Sequence, residues 1–450
     1  MSDILQTSRG NETPTLVRAL GLGSLVLFGV SYMAPLIVLG TFGVIAVESG
    51  GAVPSAYLLA LAAMLFTALS YGRMARLHPV AGSAYTYVRR SINSHSGFLV
   101  GWAALLDYFF LPMVIWLIGA SFLGAAFPGV PHGVWILAFI AVTTVLNILG
   151  VVVAERASML LMAFQCLVIV LFVGFSIASL IGDGQSVISA EPFWNDTTSI
   201  AMISAGAAVA AYSFLGFDAV TTLAEEARNP KRDMPRAILL IALIGGGVFV
   251  LIGYVAQLVH PGTAFADTDS AAFEMARTIG GNLFSAVFLA GLVVTQFGSG
   301  IAAQASAARL TYAMGRDGAL PRQFFGFLHP RFRTPVLNIL LSGAVGLLGL
   351  FMDVTTSTSF INFGAFIAFT MVNVSVIAHF LRRRREGDPL RVFPSLIAPG
   401  LGAVISLYLL TQLDSHAVSL GCAWLALGVL WLAVLTRGFR KAPPEMQLAE

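Results

Sequence analysis

Two aspartates stand inside apolar runs of this chain, and they are the side chains with the most chemistry to offer. Asp107 lies in FLVGWAALLDYFFLPM (98–113), and Asp218 lies in AYSFLGFDAVTTLAEEARNPKRDMP (211–235). A charge placed in hydrocarbon costs about 2.5–3.5 kcal/mol on insertion scales, so such a residue faces a partner or a cavity. No lysine or arginine stands mid-run to neutralise either one. The missing positive charge would therefore arrive with a ligand or as a proton. The chemistry implied is recognition of an organic cation, proton coupling, or both. The structural alternative is a carboxyl that holds helices together through hydrogen bonds. Glu225 and Glu226 follow close behind, next to Arg228 and Lys231. They read as interfacial, with Glu225 the better placed of the two to carry a proton.

The elements that must position these groups are membrane helices. Of the 450 residues, 57% are hydrophobic and only 10% are charged, where a soluble domain carries about 25% charge. Mean hydropathy is +0.86. Apolar stretches of about 20 residues are long enough to cross a bilayer as helices. Continuous apolar runs, rather than alternating segments of about 10 residues, exclude a transmembrane barrel. Twelve spans are expected, at 19–47, 52–72, 97–126, 132–150, 157–182, 199–224, 236–259, 282–308, 335–352, 358–381, 393–413 and 417–436. The polar N-terminal stretch before the first span does not read as a cleavable signal. The loops sort by charge. Every lysine and arginine except Arg277 falls in the tails or the even-numbered loops, whereas Glu48, Asp183, Glu191, Asp196, Asp267, Asp269, Glu274, Asp353 and Asp414 fall in the odd ones. The positive-inside rule then puts both termini in the cytoplasm. The basic pI of about 9 follows from these loops and points to no nucleic-acid partner. The run Arg382 to Arg385 reads as a stop next to anionic lipid.

Two spans look broken. In GVSYMAPLIVLGTFG (29–43), Pro35 lacks an amide proton and disfavours helix at Ala34. In SFLGFDAV (213–220), Gly216 sits among bulky residues. Interrupted helices at matching places in two halves mark the binding site of many transporters. Spans one and six are five apart and run in opposite directions, as two inverted five-helix repeats would. Asp218 falls where the second half of span six would restart as a helix, so its side chain would meet free amides there. Aromatics cluster around both breaks: Tyr32, Tyr212, Phe214 and Phe217, with Tyr108 and Trp116 on span three. Such faces suit an alkylammonium through cation–π attraction.

Three stretches carry a family likeness: FLGFDAVTTLAEEARNPKRDMPRAI (214–238), ARLTYAMGRDGALPRQF (308–324) and HPVAGSAYTYVRRSINSHSGFLVGWAALLDYFFLP (78–112). The chain resembles the amino acid–polyamine–organocation transporters over essentially its whole length. Within that family SYMAPLIVLGTFG (31–43), PSAYLLALAAMLFTALSYG (54–72) and GWAALLDYFFLPM (101–113) look most like bacterial putrescine importers. The resemblance implies an all-α polytopic membrane protein of LeuT-like fold. Its first repeat would be 19–182 and its second 199–381, followed by two further helices (393–436) and flanked by cytoplasmic tails (1–18 and 437–450). Helices one and six would be discontinuous. It implies secondary active transport by alternating access, usually coupled to protons, across a bacterial inner membrane. Asp218 stands where relatives that handle cations often place a glutamate, and Tyr212 where some place a tryptophan over the substrate. Residues Tyr32, Met33, Ala34, Tyr108, Phe214, Gly216 and Phe217 complete the expected substrate site with Asp107. Asp107, Asp218 and Glu225 are the proton candidates.

Two departures from the family pattern matter. Amino-acid carriers usually have a Gly-Ser-Gly-like turn in span one, whose amides hold a carboxylate. Here that place reads Tyr32-Met33-Ala34-Pro35, which favours an amine without a carboxylate. Some proton-coupled relatives use a lysine in span five, and the matching position here is Gln165. The expected substrate is therefore putrescine or a similar polyamine, with a neutral or cationic amino acid, or exchange of the two, as the alternative. Either is a small molecule, and no cofactor is expected. An enzyme would need a nucleophile, a metal cluster or a phosphate loop. The histidines His78, His95, His132, His260, His329, His379 and His416 lack metal spacing, and no Walker motif is present. A channel would more typically be an oligomer with a repeated filter. Cys166 and Cys422 fall in apolar spans and are expected to pack.

Overall fold

In the computed structural model the described residues are 19–79, 83–150, 155–224, 226–386 and 391–445. Among them the chain is helical, and its only β-pairing is an isolated bridge between Leu20 and Ala227. In order, the helices are α1 (Leu22–Tyr32), α2 (Ile37–Gly40), α3 (Phe42–Glu48), α4 (Val53–Leu77), α5 (Ser83–Ser91), α6 (Ser94–Ala126), α7 (His132–Ile148) and α8 (Glu155–Gly182). Then come α9 (Ile200–Ala210), α10 (Pro230–Val259), α11 (Ala271–Arg316), α12 (Arg322–Phe325), α13 (Val336–Gly346), α14 (Val354–Arg385), α15 (Ala398–Thr411) and α16 (Ser415–Leu435). Ten elements are long and apolar enough to cross a membrane, and two shorter apolar helices lie at His132–Ile148 and Val336–Leu350. The shorter two fall on the expected fourth and ninth spans. This is a multi-pass membrane protein.

The helices pack around α14, the most buried of the long elements, and α6. Lipid is as apolar as leucine, so close backbone approach and polar contacts hold such helices together. Gly364 of α14 lies so near Ala103 of α6 that a Cβ there would collide with its carbonyl. Asn373 of α14 donates to Thr67 Oγ1 of α4 at 3.1 Å and accepts from Ser70 of the same helix. Trp102 and Trp424 stack and each donates its indole N–H to the other's carbonyl at 2.9 Å. Interhelical bonds of this kind contribute about 0.6–2 kcal/mol each in membranes. They pin α16 to α6 although α16 is otherwise mostly exposed.

Several features differ from the sequence reading. The eighth span reaches Arg316, and a short helix precedes it across a break at Gly281, where φ is 67°. The tenth starts at Val354 because the side chain of Asp353 caps it, accepting from the Thr356 amide at 2.6 Å. Cys166 and Cys422, expected to pack, are exposed on α8 and α16. A small apolar side chain costs nothing against lipid, so an apolar run alone does not tell inside from outside.

The loops gather in two groups by charge. At the basic end, Arg76 donates to the Lys231 carbonyl, Arg382 to that of Ser91 and Arg228 to that of Ala19. At the acidic end, Asn195 and Thr197 bond the Gly50 carbonyl, and Ser55 bonds that of Phe193. The approach to α1 is clipped to the loop before α10 by two further bonds. Leu20 N donates to the Glu226 carbonyl at 3.0 Å, and Arg228 N to the Leu20 carbonyl at 2.9 Å.

Candidate substrate site

The break in the first span lies between α1 and α2. Ala34 adopts φ 46°, a left-handed conformation that costs an L-residue roughly 1–2 kcal/mol. Pro35 prevents the helix from running through it. Three amides around the break are spent on local turns: Met33 on Gly29 O, Ala34 on Ser31 O and Ile37 on Ala34 O.

The sixth span breaks differently. After α9 comes a 3-10 turn (Ala211–Phe214), then extended backbone at Leu215 and φ 96° at Gly216. The Leu215 and Phe217 amides bond back to Tyr212 and Phe214. Gly216 is required twice over. Its φ disfavours any side chain, and the Tyr32 ring lies where a Cβ would be. The two breaks are thus interlocked through one aromatic ring. The span does not restart as an α-helix. It continues as a 3-10 turn, Ala219–Leu223, whose first amides receive no bond from the Asp218 side chain. The expected capping role of Asp218 is therefore absent, because so short a turn offers no helix end aimed at the carboxylate.

A cavity of about 440 Å³ opens beside these breaks. Of the expected site residues, Tyr32, Met33, Ala34, Asp107, Tyr108, Tyr212 and Gly216 line it. Asp107 is the only charged residue among the described residues that line it, and its Oδ1 is buried with no hydrogen-bond partner. No lysine, arginine or histidine appears among the described lining residues.

Phe214, Phe217 and Asp218 do not line the cavity. Phe214 packs edge-on against Phe249 of α10, with centroids 5.1 Å apart. Phe217 lies among Tyr71 of α4 and Phe369 of α14. Asp218 is engaged by the Tyr71 hydroxyl, with Tyr87 of α5 nearby. It still lies within electrostatic reach of both Asp107 and Tyr32. Glu225 falls outside the described residues.

The sequence reading missed the rest of the wall. It comes from α8, through Leu161, Met162 and Gln165, and from α11, through Thr295, Gln296, Ser299 and Ser306. The signal was present in TQFGSGIAAQAS (295–306), a run of small and polar residues inside an apolar helix. Of these, Leu161, Met162, Gln165 and Ser306, with Phe28 and Ser31 of α1, lie in the helix halves nearer the basic loops. Outside the cavity lining, the Tyr57 and Ser213 hydroxyls meet at 3.0 Å and Phe42 packs edge-on against Phe265.

Comparison with known proteins fits this arrangement. The amino acid permease family model matches residues 25–436. The low-affinity putrescine importer PlaP of Escherichia coli (strain K12) is 38% identical over 446 residues, covering 97% of this chain and 99% of that protein. The branched-chain amino acid permease BcaP of Bacillus subtilis (strain 168) is 26% identical, over 98% of this chain and 97% of its own. Cationic amino acid transporter 4 of Mus musculus is 29% identical over 86% of this chain and 63% of that one.

Proposed function

The chain belongs to the amino acid permease family and is a membrane transporter, and from that premise we propose that it imports an organic cation of the putrescine class. The observation that carries the reading is a cavity whose described lining holds one carboxylate, Asp107, with a buried oxygen that lacks a partner, and no counter-charge. A substrate ammonium supplies both the charge and the hydrogen bond. Charge-assisted bonds of this kind contribute about 1.5–3 kcal/mol. Tyr32, Tyr108 and Tyr212 offer faces for the alkyl chain.

An amino acid substrate is the alternative within the family. Its carboxylate would need free amides at 33–37 or 215–217. Met33, Ala34, Ile37, Leu215 and Phe217 use theirs locally and Pro35 has none, which leaves those of Leu36 and Gly216, one at each break. The amine reading is therefore favoured.

The ten long and two short apolar helices would make twelve crossings, arranged as two inverted repeats of five plus two. The basic end would face the cytoplasm, with both termini there, and the membrane would be a bacterial inner membrane. Transport would proceed by alternating access. Coupling to protons would use Asp107 and the Asp218–Tyr71 pair, with Glu225 as a further candidate. The test is uptake of labelled putrescine into proteoliposomes under an imposed pH gradient. Saturable, gradient-dependent uptake that other diamines block and amino acids do not is expected. Counterflow with an amino acid but not with putrescine would overturn the reading.

A further inference from the structure

We propose that Gln165 receives the second amine of the substrate, so that the cavity prefers a diamine to the matching monoamine. This rests on the amine reading above and adds a specificity-determining residue to it. Gln165 sits on α8, a wall quite separate from the α6 wall that carries Asp107, and both side chains line the same cavity. Gln165 is only 6% exposed, and its Oε1 is buried with no hydrogen-bond partner. Native interiors rarely leave such an acceptor unsatisfied, and those that do require an explanation. Asp107 Oδ1 is in the same condition. Two orphan acceptors in one cavity call for a ligand with donors at both ends. A diamine has an ammonium at each end and an apolar middle. Apolar surface for that middle comes from Leu111, Ile115, Leu161 and Met162, in a cavity that also has the polar α11 residues on its wall.

The two contacts are unequal by design. Asp107 provides charge and fixes one end. Gln165 provides a neutral carbonyl dipole, which takes an N–H without a second buried negative charge to desolvate. A monoamine fills the Asp107 end and leaves Gln165 unpaired. Sites built to bond a substrate N–H discriminate strongly against an analogue that lacks it, because their own polar group is then stranded.

The experiment compares putrescine with butylamine, its monoamine counterpart, by competition against labelled putrescine on the purified full-length protein in lipid nanodiscs. The wild type is expected to prefer putrescine by at least about tenfold. Gln165→Leu should bring the two within about threefold of each other by weakening putrescine alone. Gln165→Glu, which keeps size and shape, should widen the preference beyond that of the wild type. An unchanged ratio in both variants, or equal weakening of both amines, overturns the role of Gln165. Failure of the wild type to bind either amine overturns instead the amine reading, and this proposal with it. Butylamine affinity retained in Gln165→Leu reports that the cavity and its Asp107 end are intact.

Discussion

Asp107 and Asp218 look alike in sequence and stand in unlike places. Each is a lone acid in an apolar run. Asp107 opens onto a cavity with an unpartnered oxygen. Asp218 lies behind the wall, held by Tyr71 among aromatic rings from three helices. Tyr32 is within electrostatic reach of both and marks the division. A carboxylate in hydrocarbon must be answered by something. The protein itself answers Asp218, whereas under the proposed function Asp107 is left for the substrate. On that reading the state of its hydrogen bonds, and not its place in an apolar run, distinguishes the binding carboxylate from the other.

That contrast can be broken by substitution. The largest effect is expected at Asp107. Asp107→Asn should lower putrescine uptake by about 100-fold, the loss of one charge-assisted contact, and near-normal initial rates in proteoliposomes would remove it from the site. Gly216→Ala comes next, because it pushes Tyr32 out of its seat and imposes a strain of about 1–2 kcal/mol. Uptake should fall about tenfold and the detergent-solubilised protein should melt earlier. A neutral result would show that the ring does not divide the two acids. Tyr71→Phe frees Asp218 from its partner. It should slow turnover several-fold, roughly the worth of one ordinary hydrogen bond, with KM unchanged. A raised KM with normal turnover would place Asp218 in the binding step. The smallest effect is expected at the other break. Ala34→Gly relieves the left-handed residue and should stabilise by at most about 1 kcal/mol, read as a slightly higher melting temperature with uptake unchanged.

Much of this was legible in the residues. Apolar runs located the crossing elements, since no soluble protein needs them. Pro35 and Gly216 located the breaks, because one lacks a donor and the other alone tolerates its φ. Asp107, Tyr108, Tyr32 and Tyr212 were named from charge and aromatics, and all line the cavity. What sequence could not convey was facing. A helix in lipid has no polar side to give away its orientation, so Phe214, Phe217 and Asp218 were grouped with residues one turn away that face elsewhere. The α11 wall was missed for a related reason, since serines and glycines in a span serve packing as readily as binding. Gln165 was noticed only for lacking a charge, and its unsatisfied oxygen is visible only in three dimensions.

Equilibrium binding of labelled putrescine to purified Asp107→Asn and Asp218→Asn, side by side with the wild type, tests the central claim most directly. Binding lost in the first and retained in the second is the predicted result. Binding retained in Asp107→Asn and lost in Asp218→Asn would contradict the account and place the substrate behind Tyr32, beside Tyr71.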